Sequence, residues 1–302
     1  MIPFQFNNEK SIDFIKRVNN ISINIDSCIG YDQLRKIDKE ELFVTIKAFY
    51  KEMVPLLSVD LEKVLSMDAK GKSNSLFGRV HNIKYIFNKE YLLSHSHNDL
   101  SAEINLNGTI NDYFVLASEY MHLITYYNYK DSNKDLIGID SSFIRRVLGD
   151  YLIKKELITK DEFINIEKLR VNEVYNASKY CFSSLDGSGD KDKFSYYMRI
   201  IYWEVIGNEI YELYKYGEDR AIEVFQTYIR SKNYYNNLGS IYNIFDIDYN
   251  DIVDDYKKYI DNIKDIPMME VNYNNKKRII SLKKLRISLL KRGEKKHESK
   301  KI

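Results

Sequence analysis

The sequence predicts a mainly α fold of the α+β class, in which long helices surround one small sheet. Only 12 Gly and 3 Pro interrupt the 302 residues, and such sparse punctuation favours long helices joined by short loops. Apolar residues recur at helical spacing over most of the chain. Only the stretch from 76 to 106 mixes short β-branched and aromatic runs with polar breaks, which is typical of a small sheet.

Capping residues and apolar periodicity locate the helices in order. Asp38 and Glu41 make a capping box before a helix that runs to about Leu57. Thr159 and Glu162 form a second capping box. Further helices are predicted near 140–155, 160–182, 192–216, 219–232 and 249–263, with a flexible connector at 183–192.

The helix that begins at Asn111 has two distinct faces. Its apolar residues recur at spacings of 3, 4 and 3, while Ser118, His122 and Thr125 share another face. That second face is polar within an otherwise apolar helix, so its residues are the first candidates for a functional site.

Charge is distributed unevenly along the chain. Residues 276–302 carry a net charge of +10 and the preceding residues carry −8. An acidic body argues against nucleic acid as the main ligand, because phosphate binding requires a basic face on the fold itself. The 26 Tyr are by themselves no evidence of function.

The tail from 276 to 302 predicts a basic amphipathic helix, with apolar residues at Ile279, Leu282, Leu285 and Leu289. This form suits the surface of an anionic membrane, an acidic partner or RNA. The alternative is that the tail docks on the acidic body of the protein itself.

The location that the sequence favours is the cytoplasm. Cys28 and Cys181 have no CxxC neighbour, so neither a disulfide framework nor a thiolate zinc site is expected. The N-terminus lacks the basic and apolar regions of a signal peptide, and no stretch is long and apolar enough to span a membrane.

The segment SEYMH, from Ser118 to His122, has the spacing of the zinc motif HExxH with its first His replaced. In the intact motif, two His at i and i+4 share a helix face and bind zinc, and the Glu acts as general base. Glu119 and His122 remain here. A Glu and a His three residues apart also arise by chance in many proteins. The surrounding sequence therefore determines whether this spacing is significant.

That surrounding stretch, Ile104 to His122, resembles the oligoendopeptidase F and thimet-oligopeptidase family of zinc metallopeptidases around its zinc helix. Weaker similarity extends the resemblance over about 45–265, without the large N-terminal helical half of such peptidases. The resemblance implies a thermolysin-like, oligopeptidase-like catalytic domain over 1–275. The residues that match are Asn107, Gly108, Thr109, Asn111, Asp112, Leu116, Ala117, Glu119 and His122.

Two of the three zinc ligands that the resemblance implies are missing. Ser118 replaces the first His, and Gly138 stands where the ligand Glu of the next helix belongs. Arg145 occupies a second acidic position of the same motif. His122 alone cannot hold zinc at ordinary free-metal levels, so no cofactor is expected.

A rebuilt metal site is the alternative. His95, His97 and Asp140 are the candidate replacement ligands. Zinc would then bind together with His122, and Glu119 would remain the general base of an active peptidase.

The resemblance also implies where a peptide would bind. Family members pair an extended substrate with an edge strand, which here would be Ala102–Leu106. Their oxyanion donors lie on a late helix, where the His position holds Phe194. The implied peptide-contacting residues are Asn105, Asn107, Gly108, Tyr196 and Tyr202, although the strand and the two Tyr could equally be structural.

Three hypotheses follow. The first is a noncatalytic pseudoenzyme that binds peptides or a partner protein, with an active relative as one candidate partner. The second is an active zinc metallo-oligopeptidase with rebuilt ligands. The third is a scaffold that acts through its basic tail.

Overall fold

The protein has a mainly α fold with one small three-stranded sheet, as the sequence predicts. The structure is a computed structural model that describes residues 9–21, 30–70, 83–88, 92–129, 137–217, 219–231, 238–248 and 251–265. The helices in these ranges are α1 (Glu9–Asn19), α2 (Lys39–Met53), α3 (Pro55–Lys70), α4 (Asn111–Asn128), α5 (Ile137–Lys154), α6 (Lys160–Ser183), α7 (Lys191–Gly217), α8 (Asp219–Arg230), α9 (Leu238–Phe245) and α10 (Ile252–Asp265), and the strands are β1 (Ile83–Phe87), β2 (His95–Ser96) and β3 (Ala102–Leu106).

The sheet has the strand order β1-β3-β2. β1 is parallel to β3, with Ile83 opposite Ala102, and β2 is antiparallel to β3, with His95 opposite Glu103. The prediction that Ala102–Leu106 is an edge strand is therefore wrong, because β3 lies in the middle. Beyond β2, the Asn105 backbone N–H donates to Ser94 Oγ and the Asn105 amide donates to the Leu93 carbonyl.

The predicted helix from Asp38 to about Leu57 is two helices. Asp38 caps α2 as predicted, accepting from the backbone N–H groups of Glu40 and Glu41. Glu41 does not complete a capping box, because its carboxylate accepts a hydrogen bond from the Tyr113 hydroxyl at 2.7 Å. α2 ends at Met53, and Pro55 begins α3. Proline has no N–H to donate, and this suits it to the first position of a new helix.

The long helices α6 and α7 begin close to where the sequence places them. Thr159 and Glu162 form the predicted capping box of α6. The predicted flexible connector is a hydrogen-bonded turn, in which the Ser188 N–H and hydroxyl both donate to Asp186. The sequence did not predict α1 and α9, which are short.

α7 lies at the centre of the fold and packs against α5, α6, α8 and α10. α5 and α7 approach closely because small residues meet there. A Cβ added at Gly207 would lie 2.6 Å from Ser142 Cβ. α4 packs on the other side of α5 and also covers β3.

A cluster of buried charges joins α5, α6 and α7. Arg145 and Arg146 of α5 each lie 3.0 Å from the Glu204 carboxylate of α7, and both also pair with Glu167 of α6. These four side chains are almost completely removed from solvent. The partly exposed Arg170 of α6 adds a further ion pair to Glu204, at 2.9 Å.

α10 completes this cluster. The Tyr259 hydroxyl donates a short hydrogen bond to Glu167, and the Arg146 guanidinium lies 4.9 Å from the centre of the Tyr259 ring. Burial alone would raise the pKa of Glu204, but the three nearby guanidinium groups hold it well below its ordinary range.

Some predictions fall on residues that the structure does not describe. These are the tail at 276–302 with its boundary near 275, residues 76–82 of the predicted sheet region, and Cys28. Cys181 is a buried free thiol, and burial raises its pKa to about 12. Within the described ranges, no helix combines the length and the hydropathy that crossing a bilayer requires.

Glu204→Gln should destabilise the fold strongly. The substitution leaves buried arginines without their shared counter-charge, and breaking a buried ion pair costs about 3–5 kcal/mol. Urea unfolding at neutral pH measures the loss. The matched control is Glu173→Gln, whose carboxylate is partly exposed beside Arg170 and should cost less than about 1 kcal/mol.

The pH dependence gives a second readout of the same prediction. Because the pKa of Glu204 is lowered on folding, its contribution is present above the ordinary value of 4.5 and is lost as the pH falls below it. The free energy of unfolding of Glu204→Gln should therefore fall less steeply than that of the wild type as the pH drops below this value. Equal slopes, or equal losses for both Gln variants, would contradict this account.

Candidate functional site

A cleft of about 460 Å³ lies where α4, α5, α6 and α7 meet. Ser118, Glu119 and His122 of α4 form one wall, and Ser141 and Arg145 of α5 face them. The remaining wall is largely aromatic and apolar. Its members include Phe114, Ile166, Tyr196, Tyr197 and Trp203, with Leu92 and Leu93 at the rim. The structure thus gathers the residues of the degenerate motif in one cavity.

The turn before α4 fixes the register of this helix. The Asp112 carboxylate accepts from the backbone N–H groups of Asn107 and Gly108 at 3.0 and 2.7 Å. Gly108 has a positive φ of 75°, which glycine adopts without strain. Burial raises the pKa of Asp112 to about 6. Ser118 and His122 are four residues apart and therefore lie one turn apart on the face of α4 that lines the cleft.

Glu119 is buried and firmly held. Its Oε2 accepts from the Ser96 hydroxyl at 2.5 Å and lies 3.5 Å from Nδ1 of His122. Burial raises the pKa of Glu119, but the attraction of His122 and the hydrogen bonds outweigh this and lower it overall. Glu119 is therefore a carboxylate at neutral pH.

His122 bridges the two facing helices. Its Nε2 lies 3.1 Å from Ser141 Oγ, and its Nδ1 faces Glu119. The Ser141 hydroxyl also lies within donating distance of the Gly138 carbonyl, at 3.0 Å. A carboxylate, an imidazole and a hydroxyl thus follow one another across the wall of the cleft.

The residues present do not fit a three-ligand zinc site. Gly138 is packed under the Trp203 indole, and a Cβ at position 138 would lie only 2.1 Å from Trp203 Cδ2. No ligand side chain can stand there while the indole is in place. Among the described residues, no three His, Cys, Asp or Glu side chains are grouped so that they could share a metal ion.

The candidate replacement ligands lie apart. Asp140 is fully buried and accepts from Thr125 of α4 at 3.3 Å. His95 is exposed on β2, close enough to Glu119 to help lower its pKa. His97 is exposed in the turn that follows. The structure does not bring these three residues together with His122.

The predicted peptide-contacting residues separate into two groups. Tyr196 is 43% exposed and lines the cleft. Tyr202 is fully buried and stacks on Phe14 of α1, with ring centroids 4.3 Å apart, so its ring is not accessible to a ligand in this structure. Asn105 belongs to β3 and Asn107 to the turn before α4, and both are largely buried.

Other predicted positions also belong to the interior. Phe194, at the predicted oxyanion-donor position, is 1% exposed. Arg145, which stands at an acidic position of the family motif, lines the cleft and also pairs with Glu167 and Glu204.

Two residues that shape the site are not among those that the sequence predicts. Trp203 is the only tryptophan of the chain, but nothing in its helical spacing relates it to Gly138. Ser96 lies between His95 and His97, which are the candidate metal ligands of the segment SHSHND. The alternation of β2 is the signal that was available, since it sets Ser96 and His95 on opposite faces of the strand.

No family model, curated protein or solved structure matches the chain. The resemblance to the oligoendopeptidases therefore rests on the motif residues alone and stays a prediction.

Gly138→Ala should destabilise the fold by about 1–3 kcal/mol, because the new methyl group overlaps the Trp203 ring. In an unobstructed helix, Gly→Ala changes the free energy of unfolding in the opposite direction and stabilises the fold by about 1 kcal/mol. Urea unfolding of Gly138→Ala, Trp203→Ala and the double variant measures the coupling between the two positions. A coupling above about 1 kcal/mol is expected, and additive effects would show that the indole does not occupy this space.

Proposed function

We propose that the protein is a degenerate relative of the oligoendopeptidases that has lost zinc-dependent hydrolysis and binds a short peptide segment in the cleft. The segment belongs to a free peptide or to a partner protein. The motif residues around α4 support the relationship. The cleft that they line supports binding, since its 460 Å³ lies within the range of small-ligand sites.

One observation supports the proposed loss of zinc-dependent hydrolysis. The Trp203 indole fills the space beside Gly138 where the resemblance places a ligand Glu. Substituting a glutamate at this position would not by itself restore the ligand. Catalytic zinc sites use three protein ligands, and a zinc ion bound to His122 would have only one.

The mode of peptide binding differs from strand addition. β2 and the Ser94 and Leu93 contacts cover the side of β3 opposite β1. An added peptide strand would have to displace them. Affinity must therefore come from side chains in the cleft, in which Tyr196, Tyr197 and Trp203 offer aromatic surface.

Charge in the cleft favours neither an acidic nor a basic peptide strongly. Glu119 and Glu173 line it together with Arg145 and Arg170, and the nearest arginine–glutamate contacts are as short as 2.7 Å. Because these charges neutralise one another, apolar side chains of the peptide should contribute most of the binding energy.

The purified full-length protein should contain far less than one zinc per chain. Elemental analysis after dialysis against micromolar zinc measures this, with His122→Ala as the control. Equal and substoichiometric zinc in both proteins is the expected result. Near-stoichiometric zinc that is absent from His122→Ala would contradict the proposal and favour a rebuilt site.

Trp203 provides a direct readout of peptide binding. Its position in the cleft wall should make its fluorescence change when tryptophan-free hexapeptides bind, and a panel of apolar, acidic and basic sequences tests this. The change should saturate and should survive EDTA. Val115→Arg, which fills the cleft, should weaken binding at least tenfold, equivalent to about 1.4 kcal/mol.

Val44→Arg is the matched control, because Val44 is exposed on α2 and does not line the cleft. It should bind the hexapeptides as the wild type does. Peptide binding in this cleft would be disproved by the absence of any saturable response in the wild type, or by full affinity in Val115→Arg.

A further inference from the structure

Glu119, His122 and Ser141 form a chain of interacting groups that the proposed function does not use. Glu119 Oε2 lies 3.5 Å from His122 Nδ1, and His122 Nε2 lies 3.1 Å from Ser141 Oγ. All three side chains line the cleft. The order is that of a serine nucleophile, its general base and a carboxylate that orients the base.

The surrounding structure holds each member in place. The Ser96 hydroxyl donates a hydrogen bond of 2.5 Å to Glu119 Oε2, which is also the carboxylate oxygen nearest the imidazole. This hydrogen bond holds the carboxylate in place. Glu119 and His122 stand three residues apart on α4, where side chains of one helix meet. Ser141 projects from α5, which packs directly on α4.

We propose that Ser141 is a nucleophile for acyl transfer from small carboxylic esters, with His122 as its general base and Glu119 as a positioning residue. This activity requires no metal. It goes beyond the proposed function and does not depend on it, because peptide affinity and Ser141 reactivity are measured separately.

The Ser141 hydroxyl has one hydrogen and two acceptors within reach. The Gly138 carbonyl lies at 3.0 Å and His122 Nε2 at 3.1 Å. Rotation about the Cβ–Oγ bond moves the hydrogen from the carbonyl to the imidazole without displacing any heavy atom. His122 accepts it when Nδ1 carries the ring proton, and the Glu119 carboxylate favours this tautomer.

The reaction proceeds in two balanced halves. Ser141 Oγ forms a bond to the ester carbonyl carbon as its proton passes to His122 Nε2. The tetrahedral intermediate then breaks its bond to the alkoxide, which leaves as an alcohol with the proton from His122. Water repeats the sequence on the acyl-serine, releasing the carboxylic acid and restoring the Ser141 hydroxyl.

The cleft indicates the class of substrate. Arg145 lies one helical turn beyond Ser141 on the same wall, but its guanidinium is paired with Glu167 and Glu204, so it leaves no free positive charge for an anionic substrate. Phe114, Ile166 and Trp203 offer apolar surface to an acyl chain. The volume of about 460 Å³ suits short chains.

Labelling of the full-length protein with a fluorophosphonate tests the nucleophile directly. The reagent forms a bond from Ser141 Oγ to phosphorus and expels fluoride. We expect one label per chain, located on Ser141 by peptide mass mapping, and no label in Ser141→Ala. Label elsewhere, or label that persists in Ser141→Ala, would overturn the proposal, as would an unlabelled wild type.

Ser178→Ala is the matched control for the loss of a buried helical hydroxyl. Ser178 Oγ donates to the carbonyl three residues earlier, that of Tyr175, at 2.8 Å, as Ser141 Oγ does to that of Gly138. It lies outside the cleft. This variant should label as the wild type does.

Hydrolysis of p-nitrophenyl butyrate in EDTA tests the other two residues. His122→Ala should lower kcat at least about 100-fold, the usual contribution of a general base. Glu119→Gln should lower kcat with little change in KM, and Glu119→Asp should restore part of it. Activity that His122→Ala leaves intact, or that EDTA abolishes, would refute the assignment.

Discussion

The buried ion cluster between α5, α6 and α7 is the interaction on which the rest of the structure depends. Arg145 and Arg146 meet Glu204 and Glu167 with almost no access to solvent. Charges in such surroundings are tolerated only when each is paired and hydrogen-bonded. Sliding α5 along α7 by one residue would separate these pairs, so the cluster allows a single register between the two helices.

That register determines which side chains of α5 and α7 meet beside the cleft. It places Gly138 under the Trp203 indole and leaves no room for a ligand side chain. The packing of α5 on its other neighbour, α4, sets Ser141 beside His122. These two contacts exclude a ligand side chain at position 138 and place a hydroxyl beside the imidazole, while the cavity between the helices remains.

Sequence predicted the parts of the fold that depend on local signals. The caps at Asp38 and Thr159 each have a signature within a few residues, and the apolar spacing within α4 indicates that helix. The break before Pro55 was missed because an apolar periodicity continued across it. The central position of β3 depends on strand pairing, which no local pattern determines.

The site was predictable only in part, for a related reason. Glu119 and His122 were found because their spacing on one helix is visible in the sequence. Arg145 and Glu204 are 59 residues apart, and charged side chains are usually expected at the surface. Trp203 reaches Gly138 only through the packing of α7 on α5.

Diffraction at the zinc absorption edge tests the central claim most directly. Crystals soaked in zinc chloride would show any metal near His122 as an anomalous peak, and the same map would show whether the Trp203 indole covers Gly138. The account predicts no peak within coordinating distance of His122 and an indole packed on Gly138. A peak there with two or more further protein ligands, or an indole turned away from Gly138, would contradict it.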